Sequence, residues 1–152
     1  DQWWFAQCAY FEDQLQLAAH YQLPVSIHAR KAHNDVYGFL KNSNVQGVIH
    51  GFSGSFQEAM RYVDLGLKIG VGGTITYLRA SKTRETIARL PLNSLVPETD
   101  SPDMPIAQQR GQLNRPANLV FIFQALCEIR SEPCALLATE LWHNSETVFI
   151  SH

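Results

Sequence analysis

The sequence predicts an α/β domain built on parallel strands, and three observations carry that prediction. Short apolar segments of strand character alternate with segments of helical period, an order that requires crossover connections between parallel strands. Three of the strand segments run out on polar residues, His28, His50 and Asp100, where their own alternation would continue inward. No internal repeat, low-complexity tract or shift in composition divides the 152 residues, a length that suits one compact domain.

The elements follow in order. In QWWFAQCAYFEDQLQLAAHYQ, the residues Trp4, Cys8, Phe11, Leu15 and Ala18 recur at steps of four and three, predicting a helix with one packed face that opens at Asp1 with no strand or leader before it. Trp3, Trp4 and Phe11 are expected in the core rather than as a platform for substrate. Pro24 to His28 reads as a short strand, and NVQGVIHG as a second, centred on Val48 to His50. The segment AHNDVYGFLKN between them has helical character. Ser55 and Glu58 have the spacing of a capping box, so a helix is expected to run from there to about Leu65, with Gly66 as its stop. LKIGVGG is a third strand, SKTRETIARL a helix, and LVPETD a fourth strand with Asp100 at its end, on the side of Glu98. The stretch SPDMPIAQQRGQLNRP is too long and too rich in Pro and polar residues for a routine connector, which marks it as a functional loop. Two helices close the chain, from about Pro116 to Arg130 and Pro133 to Phe149, each with Pro in its first turn. The terminal residue, His152, is expected to be disordered.

Composition excludes several classes. With 45% hydrophobic and 17% charged residues the chain can build a core, so disorder is not expected. A net charge of -2 and the absence of a basic run leave no broad surface for nucleic acid, so a nucleic-acid substrate would need localised contacts. Cys8, Cys127 and Cys134 are odd in number and lack CxxC spacing, which suits a reducing compartment and gives the cytoplasm as the expected location. No apolar run approaches the ~20 residues that span a bilayer, so no membrane partner is expected.

In parallel α/β folds the carboxyl ends of the strands form the binding face. His28, His50 and Asp100 therefore meet at one rim, where two imidazoles and a carboxylate can bind a divalent cation and the carboxylate can accept a proton from water. The competing reading for each residue is a hydrogen-bonded structural group at a strand end. Arg30 either clamps phosphate or pairs with a local carboxylate. His20, His33 and His143 have no partners at ligand spacing and are expected in surface or packing roles. GVGGT lacks the Lys-Ser/Thr of a phosphate loop, so it does not support a nucleotide site.

Taken together and in order, LPVSIHAR, GVIHGFSGS, KIGVGGTITY, ETDSPDMP and NRP resemble the TatD family of metal-dependent hydrolases, and HNSETVF is similar to that family's last helix. The resemblance implies a (β/α)8 TIM barrel, of which these four strands would be strands five to eight, with one or two divalent metal ions (Mg, Mn or Zn). It implies His28 and His50 as metal ligands of the fifth and sixth strands, and Asp100 as an eighth-strand carboxylate that binds metal and orients or deprotonates water. Arg30 is then a substrate-binding candidate, and Glu98 lies in a family motif. The implied activity is hydrolysis of phosphodiesters in DNA or oligonucleotides.

The departure from the pattern is that the family's His-x-His strand and its GEIGLD-like Glu precede the first helix seen here. The chain also falls short of the ~250 residues of such a barrel. The expectation is a C-terminal portion, residues 1–152 forming one partial barrel domain that lacks the N-terminal half and is weak or inactive alone. It would pair with itself or with the missing half to cover its open strand edges. The alternatives are a non-catalytic remnant or subunit, and a hydrolase of a small ester, amide or lactone.

Overall fold

The computed structural model describes residues 2–150. Asp1 and His152 lie outside them, and with them the expectations about where the first helix opens and about terminal disorder. Four strands, β1 (Val25–His28), β2 (Gly47–His50), β3 (Lys68–Val71) and β4 (Leu95–Pro97), form one parallel sheet in the order β1-β2-β3-β4. Around it run α1 (Gln2–Tyr21), α2 (His33–Leu40), α3 (Phe56–Asp64), α4 (Ser81–Arg89), α5 (Leu119–Ile129) and α6 (Cys134–Phe149).

Sequential order has a consequence that a reversing order lacks. If every crossover has the same hand, the intervening helices all fall on one side of the sheet. Alternation then sorts the strand residues. Ile27, Ile49, Ile69 and Leu95 are buried in the main core, with Leu40, Ala59, Tyr62, Ile87, Ile122 and Leu126 from the helices. The other face carries Ser26, His28, Val48, His50 and Gly70. Its lower part is not left bare: Val48 and Val96 form a small separate cluster with Val148 of α6. Asn144, on the same helix, donates from Nδ2 to the carbonyls of Leu92 and Leu95, both at 2.9 Å, and so fastens α6 to the start of β4.

Helix boundaries follow local chemistry. Ser55 Oγ accepts from the Glu58 N–H while the Glu58 carboxylate accepts from the Ser55 N–H, the reciprocal pair that caps α3. At the other end Gly66 takes φ +85°, and the N–H groups of Gly66 and Leu67 return to the carbonyls of Val63 and Tyr62. This is a Schellman closure, in which a residue without Cβ takes the left-handed turn. Pro116 opens a single 3-10 turn before α5, and Pro133 caps α6.

Two expectations need correction. Leu15 and Ala18 of α1 are buried and Phe11 packs on the core, but Trp3 is 85% and Trp4 42% exposed, so these two are not core residues. A helical stripe identifies residues that share a face; it does not supply the element that covers them, and here the first turn stays largely exposed. The fourth strand also ends at Pro97, earlier than expected. Glu98 extends the ladder by one bond, its N–H donating to Val71 O at 3.0 Å, and the chain then turns, with Asp100 at φ +58°. All three cysteines are free. No helix among the described residues is long and apolar enough to cross a membrane.

Candidate functional site

The rim is assembled by register. His28 and His50 are paired residues of adjacent parallel strands, and the strand spacing of about 4.8 Å brings their rings together. The centroids lie 5.4 Å apart at an interplanar angle of 37°. Asp100 reaches the same place by another route. Its position is set by the loop after β4, and its Oδ1 lies 3.5 Å from His50 Nε2. Glu98 approaches the opposite ring nitrogen, with Oε1 3.1 Å from His50 Nδ1, and the same oxygen accepts from the Gly51 N–H. His50 is thus bracketed by two carboxylates, with His28 alongside.

Arg30 lies two residues past the end of β1 and is exposed. It borders a cavity of about 240 Å³ whose lining also includes His28, Trp4, Cys8 and Phe39. The other histidines are elsewhere. His33 packs against Phe52 with its Nδ1 3.0 Å from the Tyr62 hydroxyl, which itself donates to His33 O. His20 and His143 are exposed.

The donors fit a divalent cation in kind, since imidazole and carboxylate are ligands that first-row metals and Zn²⁺ accept. They do not amount to a complete shell. Among the described residues no three His, Cys, Asp or Glu side chains are gathered closely enough to hold a metal ion.

The loop that delivers Asp100 depends on a residue that the sequence reading noted only within NRP. Asn114 is 3% exposed, and its Nδ2 lies 2.6, 2.8 and 3.1 Å from the carbonyls of Thr99, Asp103 and Met104. Its Oδ1 accepts from the Arg115 N–H and from Asn118 Nδ2. A polar side chain whose two N–H groups are shared among three carbonyls of one loop fixes that loop's path. Two further ties run to the 3-10 turn Gly73–Thr76: Thr76 Oγ1 accepts from the Ala107 N–H, and the Tyr77 hydroxyl just beyond it donates to Pro105 O.

A parallel α/β sheet that presents imidazoles and carboxylates at its carboxyl edge offers donors of the kind that bind divalent cations. The chain belongs to the TatD-related DNase family, whose family model matches residues 1–150. It is 54% identical over 151 residues to an uncharacterized metal-dependent hydrolase of Haemophilus influenzae, covering 98% of this chain and 58% of that protein. The crystal structure of YjjV, a TatD homologue from Escherichia coli K12, superimposes with a TM-score of 0.88 at 52% identity, over 91% of this chain and 54% of that one. A 3'-5' ssDNA/RNA exonuclease TatD of Pantoea ananatis is 31% identical over 147 residues, 91% of this chain and 56% of that protein. The chain spans between half and three-fifths of the length of these relatives.

Proposed function

We propose that this chain carries part of the active site of a divalent-metal-dependent phosphodiesterase acting on DNA strand ends or short oligonucleotides. The observation that carries the reading is the meeting of His28, His50 and Asp100 at one strand-end rim, with His50 3.5 Å from Asp100. The name of the Pantoea relative supports nucleic acid as the substrate class.

His28, His50 and Asp100 would each supply one ligand to the ion, one of Mg²⁺, Mn²⁺ or Zn²⁺, in a shell that these three do not close by themselves. A bound divalent ion polarises a phosphoryl oxygen and lowers the pKa of water. The chain's own groups do the rest: Asp100 orients the attacking water and takes its proton, and Arg30, exposed beside His28, grips phosphate through its planar fork. With a net charge of -2 the grip is local, and no sliding surface is involved.

The four strands are the second half of an eight-stranded barrel in this reading. Its support is the strictly sequential parallel order, in which β1 and β4 each pair on one side only among the described residues. Those open edges favour association of the chain with itself or with the remaining half of the barrel. Without the latter, hydrolysis by this chain is weak. The free thiols accord with a reducing compartment such as the cytoplasm.

Isothermal titration with Mn²⁺ and Zn²⁺ tests the reading. The chain binds, and His28→Ala, His50→Ala and Asp100→Asn each weaken binding. The absence of a three-ligand group among the described residues favours a second reading, a non-catalytic subunit. No binding at neutral pH would support it.

A further inference from the structure

His50 ends β2 and Glu98 directly follows β4, and these two strands are not neighbours. β3 lies between β2 and β4, so the Glu98 carboxylate can reach the imidazole only by crossing over β3. It does so at Gly70. A Cβ built there would stand 2.8 Å from Glu98 Oε2 and 2.9 Å from both Cδ and Oε1, separations that side-chain carbons do not adopt. A glycine inside a strand marks close approach by another group, and here the group is a carboxylate on its way to a histidine. Gly51 completes the seat. In the left-handed region at φ +57°, it donates its N–H to Glu98 Oε1, the same atom that faces His50 Nδ1.

We propose that Glu98, in the space kept open by Gly70, is the positioning residue of His50, holding the ring hydrogen on Nδ1 so that Nε2 presents its lone pair at the rim. Of the two ring nitrogens Nδ1 has the nearer carboxylate, Oε1 at 3.1 Å against Asp100 Oδ1 at 3.5 Å from Nε2, and the hydrogen is assigned there. In the neutral ring Nε2 is then bare, and it faces Asp100 Oδ1 at 3.5 Å, a spacing longer than a good N–H···O bond. Histidines that ligate metals generally donate their other N–H to a carboxylate or carbonyl, which fixes ring orientation and raises ligand basicity. The functional sense of the proposal rests on His50 being a ligand. The tautomer and its dependence on Glu98 and Gly70 do not.

The test is a long-range ¹H–¹⁵N correlation spectrum of the histidine side chains, recorded on the 152-residue chain at a pH where the rings are neutral. His50 is assigned by loss of its signals in His50→Gln. The expected pattern has Nδ1 protonated and Nε2 bare. Glu98→Ala and Gly70→Ala shift His50 to the Nε2–H form that free side chains prefer, whereas Glu98→Gln, which keeps an acceptor, retains Nδ1–H. In Zn²⁺ titration the first two variants bind about 10–100-fold more weakly than the parent, and Glu98→Gln stays close to it. An Nε2–H ring in the parent overturns the proposal, as does an unchanged tautomer in folded Glu98→Ala. Should Gly70→Ala fail to fold by circular dichroism, Glu98→Ala and the parent spectrum decide. A chain that binds no Zn²⁺ yet has a Glu98-dependent Nδ1–H sinks the metal reading and leaves this one standing.

Discussion

Replacing Asn114 tests how the rim is built, because this one side chain holds the loop that carries Asp100. Its Nδ2 has two hydrogens and three carbonyls within 3.1 Å, and its Oδ1 accepts twice. Counted at about 1 kcal/mol each, the four hydrogen bonds set a ceiling near 4 kcal/mol for Asn114→Ala. Two features lower it. Asp103 and Met104 are exposed, so their carbonyls regain water, and Asn118 keeps its bond to Gln109 Oε1. The expected loss is about 2–3 kcal/mol, read by urea unfolding followed through tryptophan fluorescence. Asn114→Asp has nearly the same shape but puts an acceptor against the carbonyls of Thr99, Asp103 and Met104, so it destabilises at least as much as Ala. In both variants amide exchange accelerates across residues 99–104. The reasoning is refuted if either protein lies within about 0.5 kcal/mol of the parent, the range of ordinary surface substitutions, or if Asp is the milder change.

Three other outcomes are expected. Ser55→Ala removes the cap of α3 and lowers stability by about 1 kcal/mol in thermal melts; an unchanged melt would mean that the capping box contributes nothing. Arg130, whose side chain is 5% exposed, donates to the carbonyls of Ile87 and Leu90 and pairs with Glu132, so Arg130→Ala leaves two carbonyls and a carboxylate without their partner and costs about 3 kcal/mol. Burial holds the His33 imidazole below its ordinary pKa of 6.5, with the Glu58 charge opposing the shift. The unfolded chain then takes up this proton more readily than the folded one. Stability from this group is complete above 6.5 and is lost as the pH falls through the folded value. His33→Gln flattens that slope in urea unfolding at a series of pH values, and an unaltered slope would reject the assignment.

Much of the scaffold was legible because its signals are local. Ser55, Glu58 and Gly66 fix α3 by chemistry within a dozen residues, and the strand segments carry their own alternation. His28 and His50 could be placed on one rim because each ends a strand and parallel register does the rest. Asp100 is placed there by the same rule, but it reaches His50 by another route. The strand stops at Pro97, and the path beyond it is set by Asn114 from the far end of the loop. Gly70 was equally opaque: GVGG reads as a glycine-rich run until β3 is known to lie between the strands of His50 and Glu98. The exposure of Trp3 and Trp4, and the covering of Val48 and Val96 by Val148, depend on which elements are at hand, and periodicity within one helix does not encode that.

The coordination shell of the zinc-loaded chain, read by X-ray absorption at the zinc edge, addresses the central claim most directly. A rim built from His28, His50 and Asp100 predicts a nitrogen and oxygen shell with the outer scattering of two imidazoles, falling to one in His28→Ala or His50→Ala. A shell without imidazole scattering, or one that neither substitution alters, would contradict it.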